Sequence, residues 1–205
     1  RYAFLKISTK LIMNAHERKT QMSENETKKK SKKQQILSWV LVIVAALVIA
    51  LLVRTFIFAP VKVDGLSMYP TYENGDRVFI EKVTGPDRFD IVVFDAPVST
   101  GDEGKYFIKR VIGIPGDRIE FKDGELYLNG KKHPETYLAD GMKTYREPGD
   151  GDGNFTLKDV TGFDVVPKGK LFVLGDNREG SMDGRMFGLI DNSSIDGTVL
   201  QFSSK

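Results

Sequence analysis

The chain contains no cysteine, which removes a cysteine nucleophile, thiolate metal sites and disulfides. Its two histidines, His16 and His133, are too few for a histidine-rich metal cluster. Nucleophilic chemistry therefore falls to a hydroxyl, and Ser67 is the candidate. It lies in Asp64-Gly65-Leu66-Ser67-Met68-Tyr69-Pro70-Thr71, between turns stiffened by glycine and proline and with apolar residues on both sides. Taken alone, that stretch reads as a surface turn leading into a strand. A serine hydroxyl is a weak nucleophile at its free pKa and needs a base. His16 is separated from Ser67 by a long apolar run, and His133, in Lys131-Lys132-His133-Pro134, is expected to be an exposed residue beside a hairpin turn. A Ser-His-Asp triad is therefore poorly supported.

A lysine can replace histidine if burial lowers its pKa, because desolvation disfavours the ammonium. Most lysines here sit in polar runs. Lys109 lies instead in Tyr106-Phe107-Ile108-Lys109-Arg110-Val111-Ile112-Gly113. Alternation along a strand puts Phe107, Lys109 and Val111 on one face, opposite Ile108 and Arg110. Two readings stand side by side: a lysine of depressed pKa acting as a base, and a strand-edge lysine whose stem packs while its head reaches water.

Asp150-Gly151-Asp152-Gly153-Asn154 is similar to the opening of a calcium loop. An EF-hand needs glycine at position 6 and a bidentate glutamate at position 12, and Phe155 and Thr161 stand there. An acidic turn is expected, with no metal and no cofactor.

The elements that must position these residues follow from the pattern of the chain. Residues 36–53 (ILSWVLVIVAALVIALLV) carry no charge and are long enough to cross a hydrocarbon core of roughly 30 Å. A cleavable signal peptide would have a shorter apolar region ending at an A-x-A-like site, whereas this run ends in Arg54-Thr55-Phe56. Lys28, Lys29, Lys30, Lys32 and Lys33 precede it, so the positive-inside rule places the N-terminus in the cytoplasm and the rest outside. Met22 opens a polar stretch suited to the start of a membrane protein, and residues 1–21 are expected to be a start-site artefact. The expected organisation is a cytoplasmic segment over 1–35, a transmembrane anchor over 36–57 and an extracytoplasmic domain over 58–205. The formal net charge of +2 does not suggest a nucleic-acid partner.

Beyond the anchor the texture is β. Val78-Phe79-Ile80, Ile91-Val92-Val93-Phe94, Leu171-Phe172-Val173-Leu174 and Thr198-Val199-Leu200-Gln201-Phe202 read as strands. Asp123-Gly124 and Asn129-Gly130 are hairpin signals on either side of Leu126-Tyr127-Leu128. The only hint of helix falls near residues 193–197. Residues 138–162 read as a polar, glycine-rich excursion from the core. The fold class expected is mainly β, with several small antiparallel sheets behind one transmembrane helix.

Ser67-Met68-Tyr69-Pro70-Thr71, the run from Lys109 to Asp117 and the run from Gly175 to Arg185 (GDNREGSMDGR) resemble, in this order, the motif boxes of bacterial type I signal peptidases. Gly75-Asp76-Arg77-Val78 and the run from Arg88 to Phe94 join the match, which covers the chain from about Met22 to its end. The single anchor and short catalytic region are similar to the Gram-positive type. The resemblance implies a Ser67–Lys109 dyad that cleaves signal peptides of secreted preproteins after small residues at −1 and −3, through an acyl-enzyme. It implies that Ser181 hydrogen-bonds and orients the lysine, that Asp183 and Arg185 form a structural ion pair, and that Asp176 supports them. It implies an oxyanion hole from the N–H of Ser67 with a second donor at Gly65, which has no hydroxyl. Met68 would sit beside the scissile bond and Pro70 would stiffen the turn. Signal peptides and the lipid bilayer would be the partners of a monomer, with Phe56 and Phe58 at the interface. Gly184, Phe89 and Phe107 depart from the family pattern of Ser, Gly and Tyr. A homologue that has lost activity and acts by binding is the alternative. A penicillin-binding enzyme would need lysine at position 70, a self-cleaving repressor a DNA-binding module, and a sortase a cysteine.

Overall fold

The computed structural model describes residues 32–56, 58–147 and 153–200. The expectations placed on residues 1–21, on 150–152 and on the side chains of Phe56 and Phe58 fall outside what is described. The chain divides into two compact units, Arg1–Ala50 and Leu51–Lys205.

The helix α1 (Lys32–Phe56) begins four residues before the uncharged run, so two lysines form its first turn. Its segment Lys32–Leu51, 20 residues, is long and apolar enough to span a membrane. At 1.5 Å per residue it covers roughly 30 Å. Large apolar side chains along its described part, Ile36, Trp39 and Leu47 among them, are exposed.

Among its described residues the second unit holds eleven strands: β1 (Phe58–Lys62), β2 (Arg77–Glu81), β3 (Ile91–Asp95), β4 (Tyr106–Gly113), β5 (Ile119–Lys122), β6 (Glu125–Leu128), β7 (Lys131–Lys132), β8 (Phe155–Thr156), β9 (Lys170–Leu174), β10 (Ile190–Asp191) and β11 (Ile195–Val199). Two short helices, α2 (Leu157–Thr161) and α3 (Gly184–Phe187), were not foreseen. Strands run in the order β1-β2-β11-β3-β4-β9-β10 in a seven-stranded sheet and β7-β6-β5-β8 in a four-stranded one. Every pairing is antiparallel. The fold class is therefore as expected, with the small sheets gathered into two.

Two regions differ from expectation. The helical hint over 193–197 is confined to a 3-10 turn at Asn192–Ser194, and residues 195–199 form a strand because Ile195, Thr198 and Val199 pair between β2 and β3. Part of the supposed excursion is core: Phe155 stacks on Phe121 at 4.6 Å and Leu157 is fully buried, so these two apolar residues tie the stretch down. They belong to the cluster that joins the two sheets, with Ile112 and Phe172 on the large sheet and Ile119 and Leu126 on the small one.

β4 organises the site. It is the longest strand and lies between β3 and β9. β3 pairs with it from Tyr106 to Arg110, whereas β9 reaches only from Arg110 to Gly113. The first half of β4 is therefore hydrogen-bonded on one side alone, which leaves room beside it. Alternation holds: Ile108 enters one core cluster and Val111 with Phe107 the other.

Candidate active site

Ser67 is carried by the loop that leaves β1. Val63 N–H donates to Asp76 O at 2.8 Å and Gly75 N–H to Val63 O at 2.9 Å, so the loop closes on itself. Inside it, Tyr69 N–H donates to Leu66 O at 3.1 Å, making a tight turn with Ser67 near its apex. Gly65, φ +87°, supplies the left-handed turn before it. Met68 is fully buried against Val63, Val78 and Ile80, and anchors the loop in the core.

Lys109 approaches from β4. Its Nζ lies 2.9 Å from Ser67 Oγ and donates to Ile108 O at 2.9 Å, with the Phe107 ring 5.1 Å away. Lys109 is only 4% exposed and sits on an interior strand, which excludes the strand-edge reading. Burial pushes its ammonium down to about 8, against the opposing pull of the Asp183 and Asp176 carboxylates. Phe107 stands where a tyrosine hydroxyl was missing from the pattern. Its ring meets Phe94 edge-on at 6.2 Å and forms part of the apolar wall beside the lysine.

The loop from Gly175 to Arg185 joins nucleophile to base. Asp176, fully buried, takes Arg110 Nε and Nη2 at 2.8 and 2.6 Å in a bidentate pair, and Thr71 Oγ1 donates to the same carboxylate. The residue next to Lys109 thus fixes the residue next to Asn177. Asn177 N–H donates to Ser67 O at 3.0 Å, and Asn177 Nδ2 to Leu66 O at 3.1 Å. Asp183 accepts Arg185 Nη2 at 2.8 Å and Gly175 N–H at 3.1 Å, and Arg185 Nη2 also donates to Arg178 O at 2.7 Å. Arg178 is wholly buried and pairs with Glu135 at 2.6 Å, while its Nε donates to Gly175 O at 2.9 Å. A Cβ on Gly175 would meet Ser181 Oγ and, at 2.5 Å, Ser67 O, so only glycine fits there.

Several expected roles take a different form. Ser181 is buried beside Gly175, but its hydroxyl has no partner, and the contacts of Lys109 Nζ go to Ser67 and Ile108 instead. Gly65 N–H is already engaged, donating to Asn74 Oδ1 at 3.0 Å, whereas Ser67 N–H finds no acceptor among the described residues. Of the two expected oxyanion donors, Ser67 alone is free. Met68 faces the core, and the exposed Pro70, after a cis peptide, is no part of the cleft wall. His133 is half-buried rather than exposed, its ring 4.8 Å from Phe89. Asp183 and Arg185 form a buried ion pair at 2.8 Å, and Asp176 pairs with Arg110 at 2.6 Å.

Beside Ser67 and Lys109 opens a cleft of about 550 Å³, walled by Val61, Val93, Phe107, Ile108 and Met182. Asp64, Asp102 and Lys105 stand at its polar rim. Sequence reasoning missed these wall residues and the Glu135–Arg178 pair. Lone valines carry no chemical signal, and Glu135 gains its meaning only when the chain brings it to Arg178. Among the described residues, no group of histidine, aspartate and glutamate side chains could hold a metal ion.

Residues 36–202 match the family described as signal peptidase, peptidase S26. The chain is 49% identical to signal peptidase I S of Bacillus subtilis (strain 168), over 86% of this chain and 91% of that protein. It is 43% identical to signal peptidase IB of Staphylococcus aureus (strain COL), over 82% and 88%. It is 41% identical to signal peptidase I of Bacillus amyloliquefaciens, over 85% and 91%.

Proposed function

The chain belongs to the signal peptidase family, peptidase S26, and on that premise we propose that Ser67 and Lys109 are the nucleophile and general base with which it removes signal peptides from exported preproteins. It is a serine endopeptidase. The observation that carries the dyad is the 2.9 Å contact between Lys109 Nζ and Ser67 Oγ, within the reach a general base needs.

With Lys109 neutral, the contact reverses and the Ser67 hydroxyl donates. Oγ attacks the carbonyl carbon of the residue at −1 while its proton passes to Nζ. The oxyanion develops beside Ser67 N–H, the free donor at this turn. The new ammonium is steadied by Asp183 and Asp176, whose charges favour it. It then gives its proton to the amine leaving at +1. The bond to the mature chain breaks, and Ser67 holds the signal peptide as an ester. Lys109, neutral again, takes a proton from water as the water oxygen attacks the ester carbonyl carbon; the bond to Ser67 Oγ then breaks, Lys109 returns that proton to Oγ, and the signal peptide leaves with a new carboxyl group. A pKa of about 8 suits both halves, since base and acid forms are each well populated near neutrality.

The apolar walls of the cleft favour small side chains at −1 and −3. Helix α1 would anchor a monomer with its N-terminal lysines in the cytoplasm and the catalytic unit outside, where signal peptides emerge. The test is cleavage of a preprotein whose signal ends in A-x-A, in liposomes, by the wild type, Ser67→Ala and Lys109→Ala. Wild-type cleavage with both variants dead supports the dyad. Activity in Lys109→Ala would send the search for a base to His133.

A further inference from the structure

We infer that Asn177 is a positioning residue for the oxyanion hole, holding through its side chain the peptide group that carries the Ser67 N–H. A peptide unit is planar and rigid, so its carbonyl and its N–H turn together. The peptide that ends in Ser67 N–H begins at Leu66 C=O. Asn177 Nδ2 donates to that carbonyl at 3.1 Å. The other donor to it is Tyr69 N–H, also at 3.1 Å. The two donors fix the far end of the plane whose near end must meet the oxyanion. A donor on the carbonyl also polarises the amide, and chained hydrogen bonds strengthen one another in a low-dielectric site.

Further contacts give Asn177 the means to do this. Its Oδ1 accepts Gly180 N–H at 3.2 Å, so the amide has one orientation: oxygen to an N–H, nitrogen to a carbonyl. Its own N–H donates to Ser67 O at 3.0 Å, gripping the peptide on the other side of the nucleophile. The preceding residue, Asp176, is clamped to Arg110, next to Lys109. Asn177 therefore couples the donor plane to the strand that brings the base. With Gly65 N–H bound to Asn74, no second backbone donor at Gly65 makes up for a displaced Ser67 N–H.

This inference rests on the Ser67–Lys109 reading. The experiment compares kcat and KM for a preprotein in liposomes among wild type, Asn177→Asp, Asn177→Ala and Ser67→Ala across pH, with rates normalised to the folded fraction from circular dichroism. Asn177→Asp keeps the acceptor to Gly180 and loses the donor to Leu66. The expected result is a fall in kcat of ~10–100-fold in both Asn177 variants, below the ~10²–10³ for removing an oxyanion donor outright. KM should be unchanged, because the oxyanion exists only in the transition state. In Asn177→Ala the rising pH limb should stay where the wild type has it, since the base is untouched, whereas in Asn177→Asp the new carboxylate moves it only toward higher pH, as Asp183 and Asp176 already pull it. Undiminished kcat in either Asn177 variant, a change confined to KM, or a displaced pH limb in Asn177→Ala would overturn the inference. An inert wild type or an active Ser67→Ala would overturn the dyad itself, so the two failures are distinguishable.

Discussion

Replacing Lys109 by methionine should abolish cleavage and yet stabilise the folded protein near neutral pH. In the unfolded chain the ammonium titrates at its ordinary 10.5, and in the folded protein burial lowers this to about 8. At about 1.36 kcal/mol per decade, that difference amounts to about 3 kcal/mol. The sign follows from which state holds the proton. Below pH 8 both states are protonated, and the folded state bears the whole cost of a buried ammonium. Between 8 and 10.5 the folded state has released its proton and the unfolded state has not, so stability rises with pH. Above 10.5 both are neutral and the cost is gone. Methionine has similar length and no charge, so Lys109→Met removes the cost at every pH. It also leaves Ile108 O without its donor, a loss that does not vary with pH. The measurement is urea unfolding of both proteins from pH 6 to 11, read as their difference. The advantage of Lys109→Met should be constant below 8 and shrink by about 3 kcal/mol across the window. Two curves that stay parallel through that window would refute the reasoning.

Gly184→Ser restores the residue common in the family but should lower stability by about 1–3 kcal/mol, read by thermal unfolding, because a Cβ there would lie 2.8 Å from both Val173 O and the Phe172 ring. Phe89 holds φ +74°, and its ring packs on His133 and Tyr137. Phe89→Ala and Phe89→Gly both lose the ring, but only alanine keeps the strain, so the glycine variant should be the more stable by about 1 kcal/mol in urea unfolding. Glu135→Gln removes the counter-charge of the buried Arg178 and should cost about 3–5 kcal/mol by the same measurement.

Much of this was legible because it is local. The uncharged run gives the helix by length, and Asp123-Gly124 gives the β5–β6 hairpin by turn chemistry, with Asp123 at φ +53°. The alternation put Lys109 on one face with Phe107 and Val111, but left open whether it was a base or a strand-edge lysine; its burial, at 4% exposure, came only with the structure. What escaped is long-range. Arg178 looks like any polar loop arginine until the fold closes Glu135 over it. The Gly65 N–H looks free until Asn74 arrives from nine residues away. The helical hint over residues 193–197 holds only for the 3-10 turn Asn192–Ser194, and from Ile195 onward the pairing with neighbouring strands overrides it. Phe89 departs from the pattern, yet the backbone keeps the conformation glycine would take, because its carbonyl receives Arg110 Nη1 at 2.9 Å and its ring has packing partners.

Lys109 and Arg110 are neighbours in the chain and point to opposite faces of β4. Activity therefore depends on strand register, since a slip of one residue exchanges the faces. A slipped strand would offer Ser67 a guanidinium, which does not give up its proton at any pH the protein survives. An unpaired strand would offer a solvated ammonium that stays protonated near neutrality. The amine becomes a base only once the sheet has closed over it in the right register. On the proposed dyad the protease would carry its own safety catch: it would gain the power to cut only with the closed sheet, and the unfinished chain would be inert.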